Sequence, residues 1–104
     1  MNNYLLFYTD KYVPEPFAGK QRWFCIFIRP QYCADRGLLE HEKVHVSQWW
    51  RFWKRLTKLE REVEAYREQA KWYDSDKIPM FAMFIATRYG LNITAVDAEK
   101  LLRA

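Results

Sequence analysis

Leu38-Leu39-Glu40-His41-Glu42-Lys43-Val44-His45-Val46-Ser47-Gln48-Trp49-Trp50-Arg51-Phe52-Trp53 is the stretch whose reading decides the rest of the chain. At about 100° per residue, Leu38, His41, Glu42, His45, Gln48, Trp49 and Phe52 fall on one arc of a helix. Glu40, Lys43, Ser47 and Arg51 fall on the other. Both histidines and Glu42 are therefore expected to face inward, toward the apolar side. Asp35 can cap this helix, which begins near Arg36.

Within it, His41-Glu42-Lys43-Val44-His45 is an HExxH motif. Residues four apart share a helix face one turn apart, so two imidazoles there can bind one zinc ion. The glutamate after the first histidine then reaches a zinc-activated water as general base. The competing reading is a pair of ordinary core or surface histidines. A catalytic zinc needs a third protein ligand and an open position. Gln48 and Arg51 stand where HExxHxxGxxH would need its glycine and third histidine, so that ligand must come from elsewhere.

Thr57-Lys58-Leu59-Glu60 reads as a capping box that starts a second helix, to about Tyr73. Leu59, Glu62, Val63, Tyr66, Ala70 and Tyr73 share its apolar arc. Glu60, Arg61, Glu64, Arg67, Glu68 and Lys71 lie on the polar one. Of the four nearby glutamates only Glu62 faces the core, where a lone carboxylate is costly unless something neutralises it. A zinc ion would do so; otherwise Glu62 is a boundary residue of an amphipathic helix. A helix unbroken from Leu38 to Tyr73 would carry Glu62 about 25 Å beyond His45. The reading thus requires a reversal near Lys54 to Thr57, with no Gly or Pro to help it.

The arrangement resembles a gluzincin metallopeptidase, and the length suggests the minigluzincins. That pattern is HExxH on an active-site helix followed by a glutamate helix, and Glu62-Val63-Glu64-Ala65-Tyr66 matches it in the Glu and the Ala. The resemblance covers about Arg36 to Tyr73. It implies zinc on His41, His45 and Glu62, hydrolysis of a peptide or protein substrate with Glu42 as base, and an edge strand that binds extended peptide, for which Trp23 to Ile28 is the candidate. Many members of the family carry Asp at the Tyr66 position, where it orients the first histidine. Such proteins can also be latent, with a C-terminal segment in the cleft. The tail Asn92 to Ala104 is either that segment or a plain packing helix.

Upstream, Tyr4 to Thr9 and Trp23 to Ile28 read as strands, the second apolar on both faces and hence buried. Pro14 and Pro16 break regular structure, and Gly19-Lys20 offers a turn. Downstream, Pro79 starts a third helix that Gly90 stops, and Thr94 with Asp97 starts a short fourth to about Arg103. The fold class expected is α+β: a small antiparallel sheet, an active-site helix, a glutamate helix and one or two C-terminal helices.

A chain of 104 residues with half of them apolar makes one globular domain, 1–104, able to bury a core without staples. The net charge of +4 permits an acidic partner without demanding one. Cys25 and Cys33 lack metal-site spacing; each reads as a buried reduced thiol, with a bridge between them as the alternative. Met1-Asn2-Asn3-Tyr4 does not open a signal peptide, and no apolar run spans a bilayer. A soluble protein of the reducing cytoplasm is expected.

Gln48 to Lys58 interleaves tryptophans with Arg51, Lys54, Arg55 and Lys58. Trp49 and Phe52 read as core, with Trp50, Trp53 and the bases on the surface. The rival reading makes this stretch an interface to nucleic acid or an acidic partner, in a non-catalytic or latent zinc-fold protein; interleaved bases and aromatics can also rest on an anionic membrane surface. Tyr66, Tyr73 and Tyr89 are all candidates for donating a hydroxyl to the oxyanion of the reaction.

Overall fold

The computed structural model describes residues 3–104. Met1 and Asn2, part of the N-terminal stretch read above, lie outside the described residues. The elements are β1 (Leu5–Tyr8), β2 (Gly19–Arg22), β3 (Cys25–Ile28), α1 (Arg36–Trp50), α2 (Lys58–Ala70), α3 (Ile78–Arg88) and α4 (Ala95–Arg103), with 3-10 turns at Pro30–Tyr32 and Phe52–Lys54. The class is α+β.

The sheet order is β1-β3-β2, with β1 parallel and β2 antiparallel to β3. It is therefore mixed, not wholly antiparallel. The strand that is apolar on both faces takes the centre, where Ile26 and Ile28 are buried against α1. Trp23–Ile28 thus supplies the central strand, and the free edges belong to β1 and β2. Gly19-Lys20 is not a turn but the start of β2. The hairpin turn is Trp23-Phe24, with Trp23 in the left-handed region at φ 56° and no glycine to announce it. Arg29 fastens the long connection from β1 to β2. Its guanidinium donates to the Phe17 carbonyl at 2.9 Å and the Val13 carbonyl at 2.6 Å, and pairs with Asp10 at 3.1 Å.

Asp35 caps α1 by accepting from the Leu38 amide at 3.0 Å and also accepts from the Tyr73 hydroxyl at 2.6 Å, which ties the end of α2 to the start of α1. The reversal required between the helices is present. The Phe52–Lys54 turn leads into Arg55 at φ 50° and ψ 48°, and Thr57 and Glu60 then close a full capping box at 3.1 and 2.9 Å. A non-glycine residue in that conformation costs about 1–2 kcal/mol. Arg55→Gly is accordingly expected to raise stability by about 0.5–1 kcal/mol after the extra unfolded-state entropy of glycine, read from the urea midpoint. No change or a loss would mean that Arg55 carries contacts that outweigh its backbone.

The core lies in two parts on either side of α1. Ile26, Ile28, Leu38 and Val46 pack between sheet and α1, while Tyr66, Phe81, Ala82, Ile85, Ala98 and Leu102 pack among α2, α3 and α4. Trp49 and Phe52 belong to neither. Phe52 is 79% exposed, and Trp49 packs against the exposed rings of Phe24 and Trp50. Glu40, expected on the solvated arc, is buried and held by Arg36 at 2.6 Å and Lys43 at 3.4 Å. Cys25 and Cys33 are unbridged, and Cys33 is exposed rather than buried. No helix among the described residues is long and apolar enough to cross a membrane.

Candidate metal centre

The site forms on the seam between the two halves of the core. On α1, His41 and His45 project one turn apart and bring their Nε2 atoms within 3.2 Å of each other. Because the chain reverses at Arg55, α2 runs back past α1 and delivers Glu62 to the same point. His45 Nε2 lies 3.3 Å from Glu62 Oε2, and His41 Nε2 lies 3.6 Å from Glu62 Oε1. Ligand atoms about 2.0–2.1 Å from a tetrahedral ion stand about 3.3 Å from one another. The two imidazole–carboxylate distances run to different oxygens of Glu62, and one ligand atom from each of the three residues lies within 4.8 Å of the others, so His41, His45 and Glu62 can hold a metal ion.

Burial tests the fit independently. His41 and Glu62 are buried, and Glu62 Oε1 has no hydrogen-bond donor among the described residues. A buried, unsatisfied carboxylate oxygen is expensive, and a cation between the imidazoles would satisfy it. Without a cation, the site uses a proton. Burial by itself would pull the His45 imidazolium down, but the Glu62 carboxylate, helped by Glu42 and Gln48, overrides it and pushes the group up to about 9. Burial likewise would raise Glu62, and the two imidazoles beside it hold it well below the usual carboxylate range. That proton is what an incoming metal ion must displace.

Gln48 holds His45 in the state that metal binding needs. Its Oε1 lies 2.8 Å from His45 Nδ1, while its Nε2 donates to the Arg61 carbonyl at 3.0 Å and to Glu64 at 2.8 Å. With both amide protons committed to acceptors, Gln48 can only accept from His45 Nδ1–H, which leaves Nε2 as the lone pair facing the site. Gln48→Ala is expected to weaken zinc binding about 10–100-fold, measured by competition with a chelating dye. An unchanged affinity would show that the histidine needs no such partner. His41 is treated differently. Its ring packs against Tyr66 with centroids 4.4 Å apart, but the Tyr66 hydroxyl bonds to that of Tyr89 at 2.7 Å. His41 Nδ1 has no partner among the described residues, so Tyr66 does not replace the acidic residue that orients this histidine in the gluzincin pattern.

Glu42 is buried and belongs to no ligand set; it lines two adjoining cavities together with His41, Gly19 and Tyr89. One, of about 350 Å³, contains His45, Glu62 and the β2 residues Lys20 and Gln21. The other, of about 400 Å³, is walled by Phe17, Tyr66, Phe81 and Phe84. Gly19 lets β2 approach Glu42 closely: a Cβ there would stand 3.2 Å from Glu42 Oε2, and the carboxylate would have to give by a few tenths of an ångström. The strand whose free edge borders the site is thus β2, not Trp23–Ile28. A larger groove of about 1200 Å³ between α1, α2 and α4 contains none of the site residues.

The four residues singled out from sequence, His41, Glu42, His45 and Glu62, come together. The other glutamates do not: Glu60 caps α2, Glu64 pairs with Arg51 at 2.9 Å and Glu68 with Lys71 at 2.8 Å. Tyr73 lines the 400 Å³ cavity, but its hydroxyl is committed to Asp35 and Gln69; burial and the Asp35 carboxylate push it up to about 12. The tail forms α4, which buries Ala98 and Leu102 in the helical core, and none of its residues lines the two cavities at the site. The part played by Gln48 was missed, although its place three residues after His45 on the inward arc was a signal. Comparison with protein-family models, with curated proteins and with solved structures finds no match.

Proposed function

We propose that this chain is a zinc-dependent peptidase, with the ion held by His41, His45 and Glu62 and with Glu42 as general base. One observation carries the reading: two imidazole nitrogens and a buried carboxylate converge at 3.2–3.6 Å beside a second buried carboxylate in a cavity edged by a free strand. Two nitrogens and one carboxylate are a donor set of catalytic zinc sites, where the ion acidifies water and polarises a carbonyl. Glu42 takes the proton of the attacking water and passes it to the leaving amine. The outer edge of β2 can pair with an extended peptide through main-chain hydrogen bonds. Tyr89 is the hydroxyl best situated to donate to the oxyanion, since it lines both cavities. Burial first, then the nearby Glu62 carboxylate, raise its pKa, so it keeps its proton and remains a donor.

The test is cleavage of a mixed-sequence, internally quenched peptide library by zinc-loaded protein. Hydrolysis that is abolished by a chelator and restored by zinc is the expected result. Full zinc occupancy with no cleavage would contradict the peptidase reading and favour a second one, a zinc-fold protein that binds without cleaving. His41 Nδ1, which has no partner among the described residues, is the observation on that side.

A further inference from the structure

Aromatic rings that neither core uses gather at the end of α1. Trp23, Phe24, Trp49, Trp50, Phe52 and Trp53 are all exposed, Trp23 at 57% and Trp53 at 64%. Phe24 meets Trp49 at 6.0 Å and Trp49 meets Trp50 at 4.8 Å, and Phe52 and Trp53, the next rings along the chain, form a second pair at 5.6 Å. Leu5, also exposed, adjoins through its amide bond to the Phe24 carbonyl. None of these rings lines the cavities at the metal centre.

The surroundings are cationic. No Asp or Glu occurs from Phe17 to Ala34 or from Lys43 to Lys58. Arg22 lies over the Trp23 ring at 5.1 Å, and Lys54 and Arg55 are exposed. Arg51 is the exception, committed to Glu64 at 2.9 Å. A patch of this apolarity calls for a covering, and its charge narrows the choice. A second copy would oppose two like-charged surfaces across a symmetric contact. Single-stranded nucleic acid needs free ring faces for base stacking, whereas Trp49–Trp50 and Phe52–Trp53 pack edge to face at 74° and 80°. The headgroup region of a bilayer accepts rings in any orientation, satisfies indole N–H groups and offers phosphates to Lys and Arg.

We propose that this corner docks the chain on an anionic membrane surface, with the Trp and Phe rings in the headgroup region and the cations on lipid phosphates. The test is co-sedimentation of the full chain with phosphatidylcholine vesicles, with and without phosphatidylglycerol, while tryptophan emission is followed. Binding to the mixed vesicles is expected, with a blue shift and with weakening by salt. The Phe52→Ser/Trp53→Ser variant is expected to lose about tenfold or more in partitioning, and Arg22→Gln and Lys54→Gln about fivefold each. These side chains lie at the surface, so an unchanged far-UV spectrum should accompany each loss. The proposal is overturned if the mixed vesicles do not retain the parent chain, if the ring variant binds as the parent does, or if phosphatidylcholine alone binds equally. Quenching of the emission by oligothymidylate, lost in the ring variant and without vesicle binding, would also overturn it and assign the corner to single-stranded nucleic acid.

Discussion

Glu42→Gln is expected to keep its zinc and to lose about 10²–10⁴-fold in kcat/KM. Glutamine has nearly the same shape, so it fills the same space beside Gly19, but it cannot take a proton from water. Glu42 is not among the residues that converge on the metal position, so occupancy measured by elemental analysis should match the parent. That pairing of full zinc with lost turnover separates a base from a ligand. Undiminished hydrolysis by a zinc-filled Gln variant would assign the base to another group.

Phe81→Ala is expected to cost about 3–5 kcal/mol, the range for a buried aromatic truncated to a methyl group. Phe81 is almost fully buried and packs against Tyr66 at 5.0 Å, Tyr73 at 6.1 Å and Phe84 at 6.2 Å between centroids. It therefore joins α3 to the face of α2 that carries Tyr66, the ring on which His41 rests. In a domain of this size such a loss lowers Tm by roughly 15 °C or more. Zinc affinity should fall as well, because the support behind His41 loosens. A loss below about 1 kcal/mol would mean that the layer collapses around the gap or that the stability resides in the sheet side.

The site was legible in the sequence because helical phase is a local property. His41 and His45 lie one turn apart whatever surrounds them, and Glu62 is the glutamate of its segment with the phase of Leu59, Val63 and Tyr66. The capping box at Thr57 located the reversal, since it needs only residues 57–60. What could not be read depends on partners far along the chain. Gly19-Lys20 looked like a turn because glycine usually marks one, but here it serves the close approach of Glu42 to β2. The actual turn at Trp23-Phe24 lacks any turn residue. β1 pairs with β3 in parallel, and the direction in which two distant segments meet is encoded in no local pattern. Trp49 and Phe52 have the phase of core residues, yet only neighbouring elements make a core. At the end of α1 the neighbours are the Phe24 ring and the Asn3 carbonyl, which accepts from Trp50 at 3.1 Å.

Zinc content tests directly whether His41, His45 and Glu62 hold a metal ion. The purified chain, incubated with zinc and then freed of excess metal, is analysed beside His45→Ala and Glu62→Gln. About one zinc per chain is expected in the parent, with a large loss in both variants. A parent that retains no zinc, or variants that retain it as well as the parent does, would contradict that ligand set.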